Sequence, residues 1–197
     1  PLRTELQVPG PVWARRATDA VALLGLASQV AAFWFGPVVV ALFAFVLFGL
    51  TLQRVAGLPG GLQAPTGLVL LLGAWAATLD WYVAVGWLDL AVHAAGNGLL
   101  AVVVVLLMVR SGMLTEPSGS PAQQAGVAVV TLGVGVVLGL LWELGEWAGH
   151  TYLDDSIQVG YEDTLGDLAA GAVGSLAAGW VLARRTRRVP VRELFRD

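Results

Sequence analysis

The sequence contains no cysteine and no lysine, and only 13% of its 197 residues are charged. Without cysteine the chain can form no disulfide, no thiolate metal site and no cysteine nucleophile. A soluble domain is about 25% charged, whereas this chain is 57% hydrophobic and has a mean hydropathy of +0.75. Because so few polar side chains cannot cover the surface of a soluble globule, the composition predicts a membrane protein.

The alternation of polar and apolar residues that marks the strands of a membrane barrel is nearly absent from the chain. Six apolar stretches occur instead, and a spanning helix needs roughly 20 such residues. The 25 glycines favour helices that pack closely. The predicted fold class is therefore all-α: a polytopic membrane protein of six transmembrane helices, folded as a single bundle over residues 1–197. The predicted spans are residues 17–35, 37–53, 66–87, 89–109, 124–149 and 164–183.

The basic residues are all arginines, and their distribution predicts the orientation. With six spans, the N-terminal segment, the second and fourth loops and the C-terminal segment lie on one side, and these segments hold every arginine. Positive charge is retained in the cytoplasm, so both termini are predicted to be cytoplasmic. The arginines are Arg3, Arg15, Arg16, Arg54, Arg110, Arg184, Arg185, Arg187, Arg188, Arg192 and Arg196.

The arginine run at 184–188 is typical of a juxtamembrane anchor. Such a run attracts anionic lipid, at roughly 1 kcal/mol per charge. A cluster this short, next to a membrane helix, does not indicate nucleic-acid binding. The predicted partner is therefore the lipid bilayer, and the sequence leaves the oligomeric state open.

Most acidic residues and both histidines gather at the opposite, predicted external side, which has no arginine to neutralise them. Ionisable groups inside membrane helices cost about 2.5–3.5 kcal/mol each on insertion scales, and by default they mark function. The groups at this level are Asp80, Asp89, His93, Glu143, Glu146, His150, Asp154, Asp155, Glu162, Asp163 and Asp167.

Three of the predicted helices carry these groups at helical spacing, so that each set forms one stripe of its helix. The three stripes are expected to reach a similar depth in the bundle. They are Asp89, His93 and Asn97 in the fourth span, Glu143, Glu146 and His150 in the fifth, and Asp163 and Asp167 at the start of the sixth.

A cluster of acids this dense requires either protonated carboxyls or a bound cation. Mixed imidazole and carboxylate ligands suit Zn, Mn or Fe better than Ca or Mg, so a divalent metal ion of the first group is the predicted cofactor. Glu143 or Glu146 is the predicted catalytic residue, acting as a general base. The predicted metal ligands are Asp89, His93, Glu143, Glu146, His150, Asp163 and Asp167.

Several acidic residues also have purely structural interpretations. Asp163 and Asp167 could complement the dipole at a helix start. Asp154 and Asp155 could be solvated loop residues. Asp19 is interpreted as a helix-start residue without a catalytic role.

Small residues in the fifth and sixth spans predict close helix packing. They recur at a spacing of three or four residues, so each helix presents a narrow face that a neighbour can approach. The two faces are predicted to meet, which would bring the acids of these spans together. The small residues are Gly135, Gly139, Gly145 and Gly149 in the fifth span and Gly171, Gly174 and Ala178 in the sixth.

Three motifs lie on the acidic side: Asp-x-x-x-His at 89–93, Trp-Glu-Leu-Gly-Glu-Trp at 142–147, and Asp-Thr-x-x-Asp at 163–167 before a helix of small residues. They resemble the YjdF-like family of bacterial inner-membrane proteins, which is distantly similar to VanZ-like proteins. The resemblance implies a multi-pass protein of the bacterial plasma membrane. It names no reaction, because the family has no established activity.

Three functions fit these observations. The first is a metal-dependent hydrolase or transferase that acts at an outward-facing site on a lipid-linked or envelope substrate, where the metal activates water or clamps a phosphoryl group. The alternative is a divalent-cation binding or transport protein in which the acids form the ion path. The second alternative is a b-type cytochrome with His93 and His150 as axial ligands. Whether the chain is an enzyme is left open.

Overall fold

The computed structural model describes residues 8–117 and 119–195, and these residues form helices without any β-strand, which confirms the all-α prediction. Arg3, Arg196 and the side chain of Arg192 lie outside the described residues. A short 3-10 turn, Val191–Phe195, follows the last helix. The helices are α1 (Val12–Ala32), α2 (Pro37–Val55), α3 (Gly60–Thr78), α4 (Trp81–Ala84), α5 (Leu88–Arg110), α6 (Pro121–Tyr152) and α7 (Tyr161–Thr186).

Within the described residues, five helices are long and apolar enough to cross a membrane, namely α2, α3, α5, α6 and α7. The remaining long helix, α1, has 21 residues but carries Arg15, Arg16 and Asp19 in its first half. Those three charges leave it no uninterrupted apolar stretch of spanning length. The sixth span therefore remains a prediction.

Two boundary predictions are wrong. The third span was expected to run to residue 87, but α3 ends at Thr78 and Asp80 has a φ of 55°. This left-handed conformation interrupts the helix, and aspartate is one of the few residues that adopt it readily. Asp19 is not a helix-start residue, because α1 begins at Val12; its carboxylate pairs instead with the guanidinium of Arg54 on α2.

The described residues divide into two compact units, 8–84 with 191–195, and 85–190. In the first unit, α1, α2 and α3 enclose an apolar core that includes Phe43 and Leu71. The Trp75 ring packs 4.9 Å from that of Phe43, and its indole N–H donates a 3.0 Å hydrogen bond to the Ser28 hydroxyl. The expectation of a single bundle over the whole chain remains a prediction.

In the second unit, α7 packs against both α5 and α6. Helix α5 runs parallel to α7, since Leu90 approaches Gly166 and Gly98 approaches Gly174. Helix α6 runs antiparallel to both, so its C-terminal end lies beside the N-terminal ends of α5 and α7. Three helix ends therefore meet at one end of this unit, and the start of α5 is remote in sequence from the other two.

Glycines set the spacing of these helices, but not all as the sequence predicts. Gly135 and Gly139 do face neighbouring helices, because a Cβ on Gly135 would overlap the Ser175 hydroxyl. Gly174 was expected to face α6, and this is wrong, because a Cβ there would overlap the carbonyl oxygen of Ala94 on α5. A Cβ on Gly145 would meet nothing within 4 Å. Helix α7 lies between two helices and needs a small face for each.

Candidate metal centre

The acidic end of the second unit is built from the first turns of α5 and α7 and the last turns of α6. Asp89 and His93 lie in the first two turns of α5 and occupy one face of that helix. Asp167 lies in the second turn of α7 and is buried. Because α5 and α7 are parallel neighbours, these three side chains reach the same level, and we call them the triad.

The triad is compact. The Nε2 atom of His93 lies 3.4 Å from Oδ1 of Asp89 and 3.8 Å from Oδ2 of Asp167. One ligand atom from each residue lies within 4.8 Å of the other two. Ligands at about 2.0–2.2 Å from a zinc-sized ion are roughly 3–4 Å from one another. The spacing can therefore accommodate one cation, or a protonated imidazole between two carboxylates.

The triad is mostly buried. The side chains of Asp89, His93 and Asp167 are 21%, 10% and 3% exposed. Only Asp89 retains substantial contact with solvent. An ion at this site would have an entry path past Asp89, while Asp167 would hold it from the interior.

A further buried carboxylate approaches the triad from α6. Glu143 is 8% exposed, and its Oε1 atom has no hydrogen-bond partner among the described residues. Thr164 lies near this carboxyl group, and His93 and Asp89 interact with it electrostatically. A buried carboxylate oxygen without a partner is costly. From its position beside the triad, the Oε1 atom of Glu143 could accept a proton or bind a cation.

Two other predicted ligands lie around this group. Glu146, half-buried on α6, interacts electrostatically with Glu143, His93 and Asp89. Asp163, exposed at the start of α7, interacts with Asp89 and His93. Of the seven predicted ligands, the structure thus gathers six at one end of the unit, with three in the compact triad.

The seventh predicted ligand, His150, has a different role in the structure. It is exposed at the end of α6, and its Nδ1 atom lies 2.7 Å from the carbonyl oxygen of Ile157. Because a carbonyl can only accept, this nitrogen carries the proton and the ring supports the loop after α6. Nearby, the Ser156 hydroxyl and amide donate to Asp154 at 2.6 and 3.0 Å, and these hydrogen bonds lower the pKa of Asp154. Both residues shape the loop locally.

Sequence reasoning missed two polar residues that the tertiary structure places in this unit. Thr164 lies near Glu143 across the α6–α7 contact, and the available signal was its spacing of three residues from Asp167, which places both on one face of α7. Ser175 is fully buried, and its hydroxyl has no partner among the described residues. No spacing marks it, because it faces α6 whereas Asp167 faces α5.

Asn97 was placed by its spacing on the stripe of Asp89 and His93, and it lies one turn below His93. The residue is buried, and its side-chain amide fits between two glycines of the neighbouring helices. A Cβ on Gly139 would lie 2.8 Å from its Nδ2 atom, and a Cβ on Gly171 would overlap that atom. The Asn97 side chain therefore fills the space between the three helices one turn below the triad.

Long apolar helices that enclose a few ionisable groups near their ends define a multi-pass membrane protein. A family described as "Predicted membrane protein (DUF2238)" matches residues 14–188, and the chain belongs to this family. No curated protein and no solved structure matches the chain significantly.

Proposed function

We propose that the chain is a divalent-metal protein of the membrane that performs hydrolysis or group transfer on a lipid-linked phosphate ester. Asp89, His93 and Asp167 would hold the ion. The observation that carries the proposal is the approach of one imidazole and two carboxylate ligand atoms to within 4.8 Å of one another. Three protein ligands would leave coordination positions open for water and substrate, as in catalytic metal sites.

The donor set favours a first-row transition ion. One imidazole and two carboxylates suit Zn, Mn or Fe, whereas an all-oxygen site would suit Ca or Mg. Such an ion lowers the pKa of bound water and polarises phosphoryl oxygens. Glu146 and Asp163 belong to the wider predicted ligand set, and we place them in the outer shell, where they would orient inner ligands and bound water.

Glu143 is the residue that we propose as the general base. Its buried Oε1 has no partner among the described residues and is free to accept a proton. Thr164 lies near the carboxyl group on the side of α7. Removing a proton from the attacking water would contribute about 10²–10⁴-fold to the rate.

The packing below the triad favours a binding and catalytic site over a transport path. A Cβ on Gly98 would lie 2.8 Å from the carbonyl oxygen of Gly174, so the backbones of α5 and α7 are in direct contact. Ala101, one turn deeper, is fully buried. Helices this close leave no room for a cation to pass between them.

The surroundings of the histidines favour a metal ion over a haem. Nε2 of His93, the atom that would ligate haem iron, faces the carboxylates of Asp89 and Asp167. Two acids beside an axial ligand do not form the apolar pocket that a haem requires.

We infer that the chain spans a bacterial plasma membrane six times, with both termini in the cytoplasm. In the second unit, Arg110, Arg184 and Arg185 lie in the last turns of α5 and α7, at the opposite end from the triad. Because positive charge is retained inside, the triad would face outward, where a lipid-linked or envelope substrate could reach it. The motifs that resemble the YjdF-like family lie in this unit, which supports grouping the chain with that family.

Metal retention tests the site. The full chain, purified after growth with Zn, Mn or Fe and then desalted, should hold about one ion per chain by elemental analysis. His93→Ala and Asp167→Asn should each lose the ion, because each removes an inner ligand. Asp155→Asn, a change at an exposed loop residue, is the matched control and should retain it.

His150→Ala should retain most of the ion, because this imidazole supports the loop. Complete loss of metal in this variant would place the site in the loop after α6. Wild-type protein that holds none of the three ions, or triad variants that retain the ion, would contradict the metal site.

Phosphate release tests the reaction. Metal-loaded protein in detergent should release phosphate from phosphatidic acid or from a polyprenyl diphosphate. Glu143→Gln should keep the ion but release phosphate about 10²-fold more slowly, since it lacks the general base. Glu162→Gln, at an exposed carboxylate, is the control and should match wild type. No release by the loaded wild-type protein from either substrate, or an unchanged rate in Glu143→Gln, would contradict the proposed activity.

A further inference from the structure

A positively charged surface lies at the end of α7 that is remote from the triad. It consists of four arginines, and the side chains of all four are exposed. None of them forms an ion pair with an acidic side chain of the described residues. The buried residues of the same turn, Leu182, Ala183 and Thr186, occupy its other side. The four are Arg184, Arg185, Arg187 and Arg188.

The backbone keeps these arginines in helical positions beyond the last residue of α7. Arg187 has a φ of −64° and a ψ of −31°, and its N–H donates a 3.2 Å hydrogen bond to the carbonyl oxygen of Ala183. The N–H of Arg188 donates a 3.0 Å hydrogen bond to the carbonyl oxygen of Arg185. The helical turn therefore continues through the last arginine, and the points from which the four side chains project are fixed relative to one another.

Arg184 lies between two of the other arginines on the outer face of this turn. Residues three and four positions apart on a helix are neighbours, about 5–6 Å apart between Cβ atoms. Arg187 and Arg188 stand in these two relations to Arg184, one on either side of it, because successive residues point about 100° apart. The three side chains thus form two adjacent pairs that share Arg184. Each pair offers a phosphate group several charged N–H donors.

The shared arginine rests on an aromatic ring. The guanidinium carbon of Arg184 lies 3.4 Å from the centroid of the Trp180 ring, one turn earlier in α7. A guanidinium that stacks on an aromatic face can still donate its N–H groups to an anion. The contact therefore holds Arg184 at the surface while leaving it able to bind phosphate.

The surface changes from charged to apolar within one turn of the helix. Val173, Trp180 and Val181 precede the arginines, and their side chains are exposed. Helix α7 is long and apolar enough to cross a membrane, so these side chains would face acyl chains, with Trp180 near the interface. The arginines would then lie at the level of the lipid phosphates. A soluble anion would use only the arginines, whereas an anionic lipid complements the whole surface.

We propose that this end of α7 binds a phospholipid that carries two phosphate groups joined by glycerol, the cardiolipin class. One phosphate accepts from Arg184 and Arg187, the other accepts from Arg184 and Arg188, and an acyl chain follows Val181 and Val173. A lipid with a single phosphate occupies one pair at a time. This binding depends on which arginine is present, unlike the general attraction of positive charge to an anionic membrane. It uses only residues of α7 and is independent of the metal site.

Native mass spectrometry of the full chain in detergent tests the proposal. The probes are cardiolipin and phosphatidylglycerol with identical acyl chains, compared at equal concentrations of phosphate. Cardiolipin should bind at least about tenfold more tightly, because its second phosphate binds intramolecularly once the first is held. Equal binding of the two lipids would overturn the proposal. Inorganic diphosphate at the same concentration should leave cardiolipin bound, and its displacement of the lipid would instead identify a soluble anion as the ligand.

Arg184→Gln should abolish the preference for cardiolipin, because both pairs lose their shared member. Arg16→Gln is the matched control, since Arg16 is an exposed arginine on α1 and its replacement removes the same charge. This control should keep the preference. Thermal melts by circular dichroism verify that both variants are folded. A preference that survives Arg184→Gln, or one that is lost equally in both variants, would contradict the assignment.

Discussion

At the scale of single residues, charge balance governs the second unit. Asp167 and Glu143 are 3% and 8% exposed, and Asp89 lies beside them. His93 supplies at most one positive charge for these three carboxylates. Leaving buried carboxylates uncompensated costs several kcal/mol each. At neutral pH the site therefore requires additional positive charge, either as a metal ion or as protons shared between carboxyl groups.

A divalent ion should raise the melting temperature of the protein at pH 7, and a chelator should reverse the increase. Binding at 100 times Kd stabilises the folded state by about 2.7 kcal/mol. The effect should shrink as the pH falls to 5, because the imidazole and carboxylate ligands must be deprotonated to bind the ion. Melts with Mn or Zn, and with chelator, at both pH values provide the measurement.

The comparison variant for these melts is Asp167→Asn, which should show little response to the ion at either pH. Asp155→Asn should respond as wild type does. A melting temperature that does not change on addition of ion or chelator, but rises as the pH falls, would instead indicate carboxyl groups that share protons.

At the scale of helices, α7 is the central element of the second unit because it has two small faces. Gly174 and Ala178 lie against α5, while Ser175 and Gly179 lie against α6. Neighbouring positions on a helix point about 100° apart, so one sequence segment serves both contacts. The close approach to α5 brings Asp167 within reach of His93.

Gly174→Ala should destabilise the protein by at least the 1–3 kcal/mol typical of overpacking, because the new methyl would overlap the backbone carbonyl of Ala94. Gly145→Ala is the control, since a Cβ there meets nothing within 4 Å. This control should be neutral or slightly stabilising, because alanine favours helix over glycine by about 1 kcal/mol. Unfolding in mixed micelles measures both variants. Equal stability of the two variants would mean that the α5–α7 contact is wrong.

At the scale of the whole molecule, the charges are segregated. In the second unit, arginines occupy the last turns of α5 and α7, and the acids occupy their first turns. The same asymmetry along the sequence led to the proposed orientation, with the arginine-rich segments in the cytoplasm.

A reporter fused after Asp197 should be active only in the cytoplasm, and one fused before Pro1 should behave in the same way. Paired reporters measure this: green fluorescent protein, which folds in the cytoplasm, and alkaline phosphatase, which is active outside. Phosphatase activity of the C-terminal fusion would reverse the orientation and place the triad end inside. Opposite results at the two ends would show an odd number of spans, in keeping with α1 lying outside the membrane.

Local sequence patterns were sufficient to predict a helical membrane protein and to locate its acidic end. Hydropathy and composition are sums over local residues, so they predicted apolar helices and a membrane protein without any knowledge of packing. Helical spacing is equally local, and it placed Asp89 and His93 on one face of α5 and Asp163 and Asp167 on one face of α7. It also correctly marked Gly135 and Gly139 as contact positions.

Which helix faces meet depends on the packing of the folded chain. The rotation of α7 between its two neighbours placed Gly174 against α5 and Asp167 beside His93, and no local pattern specifies that rotation. The Asp19–Arg54 pair and the hydrogen bond from Trp75 to Ser28 join residues that are 35 and 47 positions apart in sequence. Their partners are set by the packing of side chains between helices, which is a property of the folded chain and not of any single segment.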